Sequence, residues 1–360
     1  MKITGVDVAA YEFPTPEPEA DGTLQWEATT AVVVQVHAGG VTGLGWTYSS
    51  PAAVAVVRHH LVDEVVGRDS DDVTSCFEAM RRTCRNLGAK GLVMQAISAV
   101  DVALWDLRAR AHELPLRSLL GAVRESVPVY GSGGFTTMTD EQLAEQVAGW
   151  RELGCTAMKI KIGESWGDNV ARDLDRVRQL RELSGDGVEI MVDANGGYSL
   201  GQAHRVGAAL DELGVVWFEE PVSSDDVDGL GVLRGALRCD VTAGEYASDV
   251  YEIEGLCGVL DCIQLDATRC GGYTGFLRGA AIAAAHNLEV SAHCAPALHT
   301  PVTAATANLR HIEFFADHAR LEPLLLDGVP VVSDGLIRAN TTPGHGLALR
   351  PDADQWKTEQ

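Results

Sequence analysis

The chain has 360 residues, 46% of them hydrophobic, and 28 Lys and Arg stand against 51 Asp and Glu, for a net charge of −23. This length fits one large α/β barrel or two domains, and the apolar content excludes wholesale disorder. The acidity argues against nucleic acid or an anionic membrane as a partner. It should also repel an anionic substrate unless a local field reverses it. The eight cysteines form no Cys-x-x-Cys pair, which suggests neither a zinc site nor a disulfide scaffold and fits reduced thiols in the cytoplasm. The N-terminal MKITGVDVAAYEF alternates like a strand without a signal-peptide core, and no apolar stretch reaches the ~18 residues of a membrane span.

Residues 3–13 and 29–37 read as strands joined by the Pro/Glu-rich loop 14–26, with a further short strand near 41–48. Ser50-Pro51 supplies a helix start, and helical patterns follow over 51–66, 71–86 and 91–111. The segment 1–126 is therefore an α+β unit. From 127 short apolar strands alternate with amphipathic helices: VPVYGS, AMKIKI, VEIMVDAN, VVWFEE, VTAGE, CIQLDA, LEVSAH and HIEFF. Thr139 with Gln142, and Ser199 with Gln202, are spaced as capping boxes. Eight such β/α units suggest a (β/α)₈, modified TIM barrel over 127–327. The competing doubly wound sheet would carry a Gly-x-Gly-x-x-Gly turn after its first strand, and none is present. The turn-rich tail 328–360 is expected to return to the N-terminal unit, completing a capping domain.

Catalytic groups of a barrel sit at the C-terminal ends of its strands, and nearly every strand here ends in one. The ends carry Lys159 and Lys161, Asp193 and Asn195, Glu219 and Glu220, Glu245, Asp266, His293 and Glu313. Strand side chains alternate, so Lys159 and Lys161 share a face, as do Asp193 and Asn195, whereas Glu220 faces away from Glu219. Asp193, Glu219 and Glu245 form an all-oxygen set on consecutive strands, a donor chemistry suited to Mg²⁺. The plainer reading of any one strand-end acid is a helix N-cap or a solvated loop residue. Lys161 is a candidate base, its pKa expected to fall beside Lys159 and a metal ion. His293 is the candidate acid/base opposite, with Asp266 placed to fix its tautomer.

With these motifs in place the sequence resembles the enolase superfamily, specifically its mandelate racemase subgroup. The resemblance runs over essentially the whole chain, from the ALWDL-type helix at Ala103–Leu107 through K-x-K, D-x-N, E-E-P and G-E to QLDATRCGG, the SAH at Ser291–His293 and Glu313. It implies that Asp193, Glu219 and Glu245 bind Mg²⁺, that Lys161 and the His293–Asp266 dyad exchange protons with substrate, and that Glu313 hydrogen-bonds a substrate carboxylate as a protonated or proton-sharing group. The shared reaction is removal of a proton α to a carboxylate, through an ene-diolate whose charge Mg²⁺ and Lys159 offset. The commonest outcome this pairing implies is dehydration of a sugar acid, aldonate or aldarate. Racemisation, epimerisation or lactone cycloisomerisation is the alternative. A non-catalytic relative would lack a ligand or a base, and all are present.

Specificity is expected from the segment 14–26 and from 46–50. The former carries Glu17, Glu19 and Asp21 and no Lys or Arg, which favours a substrate with a single carboxylate. Asn195, Trp26 and Arg269 are the candidate substrate contacts, with loop packing the alternative for Trp26 and an ion pair with a strand-end acid the alternative for Arg269. The resemblance also implies a homo-oligomer with capping loops near neighbouring subunits.

Overall fold

The computed structural model describes residues 1–358. It opens with an antiparallel meander of β1 (Ile3–Ala20), β2 (Gln25–Ala38) and β3 (Val41–Tyr48). The segment expected to be a loop is mostly strand. β1 and β2 pair as far as Ala20 with Gln25, and only Asp21–Leu24 turn. Pro14, Pro16 and Pro18 are tolerated because β1 is an edge strand, and its register slips between Pro14 and Glu19. The strand alternation in β2 divides its burial. Val32, Val34 and Val36 join the core of the following helices, whereas Ala31 and Val33 join the core shared with the barrel.

The helices of this unit include Val73–Thr83 and the 20-residue Leu92–Ala111. The longer helix lies so close to β3 that a Cβ on Gly45 would stand 2.2 Å from Ala99 O, which only glycine permits. Asp106 of this helix is fully buried and accepts from the N–H groups of Leu44 (2.9 Å) and His345 (2.8 Å), joining helix, strand and tail.

Eight parallel strands follow: β4 (Ser126–Gly133), β5 (Ala157–Lys161), β6 (Glu189–Asp193), β7 (Val215–Glu219), β8 (Asp240–Ala243), β9 (Cys262–Leu265), β10 (Glu289–Ala292) and β11 (Leu309–Phe315). β11 pairs with β4 and closes the barrel, as the alternation of elements predicts. Both expected capping boxes form, at Thr139 and at Ser199.

The tail makes two attachments. Its hairpin, Val332–Ser333 with Leu336–Arg338, first adds antiparallel to the start of β4, a contact with the barrel that its turn-rich sequence did not announce. It then runs along the N-terminal unit, where Thr358 N–H donates to Ala10 O and His345 Nε2 lies 2.8 Å from Leu44 O. All eight cysteines are buried and unbridged, and among the described residues no helix is long and apolar enough to cross a membrane.

Candidate active site

Strand register assembles the site. Lys161 of β5 pairs with Asp193 of β6, and Asp193 with Glu219 of β7, so three successive strand ends meet in one row. Glu245 lies just beyond β8, where the chain turns through Gly244 (φ +125°); a Cβ there would stand 2.5 Å from Gln264 O. Asp266 and His293 follow β9 and β10, and Glu313 lies within β11. Four of the residues that follow barrel strands, Asn195, Glu220, Cys294 and Ala295, hold positive φ without being glycine. Such backbone is costly and is retained where side chains must be aimed.

The carboxylates of Asp193, Glu219 and Glu245 each place an oxygen within 4.8 Å of the others, and all three residues are buried. Lys159 is fully buried and tied to Glu219 (2.6 Å) and Glu313 (2.9 Å), with Tyr130 Oη at 3.3 Å. Lys161 pairs with Asp193. Across the mouth His293 Nδ1 lies 2.9 Å from Asp266 Oδ2, and its Nε2 lies 3.2 Å from both Cys294 Sγ and Glu245 Oε2. Among the described residues, Glu219 Oε1 is buried without a hydrogen-bond partner, and Glu245 Oε2 makes no hydrogen bond despite the nearby imidazole.

Electrostatics correct two sequence expectations. Burial presses on the Lys161 ammonium and Lys159 repels it, but the Asp193 carboxylate outweighs both and holds its pKa above the usual lysine range. Glu313, expected to carry or share a proton, is held well below the carboxylate range. Burial opposes its charge, yet Lys159 and His293 prevail, and Ser132 Oγ–H (2.6 Å) and the Cys294 N–H (3.0 Å) donate to it. Glu219 moves the other way, pushed up by burial and by Asp193. Glu220 stands outside the cluster of three but is buried too, and burial and Glu245 push it up.

Above this layer a cavity of about 370 Å³ is lined from the barrel by Lys161, Asn195, Glu245, Arg269, His293 and Cys294. Lys159, Asp193, Glu219, Asp266 and Glu313 are buried and do not belong to its lining. Asn195 Oδ1 is buried and unpartnered. Arg269 lines the cavity but is committed to Glu245 (3.0 Å) and Asp266 (3.4 Å). Trp26 also lines it, its indole N–H donating to Glu19 (3.0 Å) and its ring set edge-on to Phe135.

Sequence reasoning missed Ser132 and Cys294, which hold Glu313, and, in the opposite wall of Thr29, Tyr48, Asp317 and His318, every member but Tyr48, which lies in the segment 46–50 expected to set specificity. The only sequence signal for the first pair is adjacency to a strand end. The rest of the wall is gathered from separated segments and carries none.

A closed parallel barrel with proton-transfer groups at its C-terminal strand ends, under a capping sheet, defines a barrel enzyme. Residues 4–121 match the mandelate racemase / muconate lactonizing enzyme N-terminal domain, and residues 142–353 the enolase C-terminal domain-like family. The chain belongs to the enolase superfamily, within its mandelate racemase subgroup. It is 32% identical over 88% of its length to the L-talarate/galactarate dehydratase of Salmonella typhimurium, covering 79% of that protein. A crystal structure of that dehydratase with Mg and L-lyxarohydroxamate superposes with a TM-score of 0.93 at 29% identity, covering 99% of this chain and 93% of that one. A 3,6-anhydro-alpha-L-galactonate cycloisomerase of Streptomyces coelicolor is 31% identical over 96% of this chain and 97% of its own. A mandelate racemase/muconate lactonizing enzyme-like protein from Rubrobacter xylanophilus superposes at TM-score 0.96 with 41% identity, covering 99% of this chain and all of that one.

Proposed function

We propose that the enzyme removes the proton α to the carboxylate of a sugar acid with the help of Mg²⁺ and expels the β-hydroxyl as water, giving a 2-keto-3-deoxy acid. The observation that carries this reading is that Lys161 and His293 line one cavity above three buried carboxylates that converge within 4.8 Å. These carboxylates fit the metal. The donors are all oxygen, and among the described residues Glu219 Oε1 lacks any partner and the five buried carboxylates of Asp193, Glu219, Glu245, Asp266 and Glu313 meet only Lys159, Lys161 and Arg269 as fixed cations. Asp193, Glu219 and Glu245 would hold it. When bound, Mg²⁺ supplies Lewis-acid stabilisation of the charge that grows on the substrate carboxyl group.

The chain's own residues move the protons. One of Lys161 and His293 takes the Cα proton, and the other gives a proton to the departing β-hydroxyl, so that water leaves as the Cα–Cβ double bond forms. The resulting enol becomes the 2-keto acid. Asp266 keeps the His293 tautomer in which Nε2 faces the cavity. Lys159 is fixed by Glu219 and Glu313 and contributes a permanent positive charge beneath the reacting carboxylate. If the second group instead returns a proton to carbon or acts on a ring oxygen, the same first step leads to racemisation, epimerisation or cycloisomerisation. The name of the Streptomyces relative favours keeping this second outcome in the test.

The test is a library of sugar acids with Mg²⁺, read as 2-keto acid formation and as Cα deuterium exchange in D₂O. Keto acid accompanied by exchange is the expected result, abolished by chelator and restored by Mg²⁺. Exchange without keto acid moves the assignment to the isomerising outcome. Neither signal on any member, or activity that persists in chelator, overturns the reading.

A further inference from the structure

The cavity has two unlike walls. On the barrel side its two cations, Lys161 and Arg269, are each committed to a strand-end carboxylate. On the opposite side, formed by the capping strands and the helix after β11, the lining among the described residues carries Asp21 and Asp317 and no Lys or Arg. Arg320 stands nearby, but it donates twice to Asp317 Oδ1 (2.5 and 3.2 Å) and does not line the cavity.

We infer that the substrate carries one carboxylate only, its far end uncharged and hydroxylated, and that Asp317 enforces this choice. The inference rests on the proposed function, which places the reacting carboxylate at the barrel floor. A second carboxylate would then have to lose its water beside Asp317 without a free counter-charge, which a buried site penalises heavily. Asp317 is itself buried and held in place, because the Thr29 hydroxyl donates to its Oδ2 while Arg320 holds Oδ1. It therefore cannot swing away to admit an anion.

The remaining groups of this wall suit hydroxyls. The Ala295 N–H donates to His318 Nδ1 (3.0 Å), so the neutral ring carries its proton on Nε2, which has no hydrogen-bond partner among the described residues and belongs to a side chain lining the cavity. Burial keeps this ring neutral, its pKa lowered to about 4, so it offers a donor and no charge. Tyr48 stacks on it at 3.6 Å and fixes its plane. A neutral donor beside a carboxylate acceptor matches the paired donor and acceptor capacity of a sugar hydroxyl.

The experiment uses the Mg²⁺-loaded enzyme and matched C5 and C6 pairs of aldonate and aldarate that differ only in oxidation of the far carbon. Affinity is measured by calorimetry and kcat/KM by keto-acid release. The expected result is that the mono-acid of each pair binds about tenfold or more tighter. D317N should narrow that gap by strengthening the diacid. Diacids that bind as well as mono-acids, or a ratio unchanged in D317N, would overturn the inference. The wild-type pairs decide it alone should D317N not fold. Failure of the proposed reaction shows separately, as absence of both Cα exchange and keto acid from every member, because affinity is read without turnover.

Discussion

Lys161 and His293 face the same cavity and each leans on a buried carboxylate, but the two carboxylates have different obligations. Asp193 belongs to the three-acid cluster and also lies 4.0 Å from Lys159, so any cation it binds competes with Lys161 for its charge. Asp266 stands outside that cluster. Its Oδ2 faces His293 Nδ1, and its Oδ1 accepts from the Thr268 N–H (2.7 Å). Burial works against this carboxylate, but the His293 hydrogen bond and Arg269 keep it ionised far below the usual range. The lysine side is thus tuned by what occupies the acid row, whereas the histidine side keeps a fixed partner on Nδ1 and meets that row only through Glu245, 3.2 Å from its Nε2. One site holds a conditional base and a permanently wired one.

Removing the bases one at a time is the harshest test of that contrast. K161A and H293A should each lower kcat by ~10²–10⁴. Cα exchange separates them, since the base that begins the reaction remains able to exchange deuterium after the other is lost. Full turnover in both variants would reject a two-base site.

D266N is expected to have a smaller effect, about 10²-fold in kcat, because the imidazole loses both its orientation and the charge that favours its protonation. Unchanged turnover in D266N would mean that Asp266 serves only to position Arg269 and the Thr268 turn.

What could be read in advance follows from the same physics. Placing Lys161, Asp193 and Glu219 at neighbouring strand ends needs only a period of two and a parallel order, both visible in the sequence. Their charge states were not legible, because they depend on which partner each group meets at 3 Å. Lys161 was expected to be depressed by Lys159 and a bound metal ion, and among the protein's own groups Asp193 holds it up. Ser132 reaches Glu313 only because β4 closes against β11, the most distant pairing in sequence among the eight barrel strands. The hairpin at 14–26 was misread because its prolines signal a loop, while an edge strand accommodates them. Of the wall of Thr29, Tyr48, Asp317 and His318 only the segment holding Tyr48 was legible; the rest exists only once β2, β3 and the helix after β11 meet.

The smallest predicted effect extends the comparison to a buried carboxylate with no ion-pair partner among the described residues. Glu322 supports the capping-side wall by accepting from the Tyr48 hydroxyl (3.4 Å) and from the Ala297 N–H (3.1 Å). Burial pushes its pKa up from 4.5 to about 8, despite those two donors. The fold therefore binds a proton that the unfolded chain releases. The stability this proton contributes is whole below pH 4.5 and is lost as pH rises through about 8. Between pH 6.5 and 8.5 the melting temperature should fall by a few degrees on this account, at up to ~1.4 kcal/mol per pH unit. E322Q stays neutral throughout and should flatten that slope while leaving the floor groups, and hence the metal requirement, unaltered. A slope equally steep in E322Q would mean that Glu322 is already ionised in the fold, and that its two donors outweigh burial as ion pairs do for Asp266.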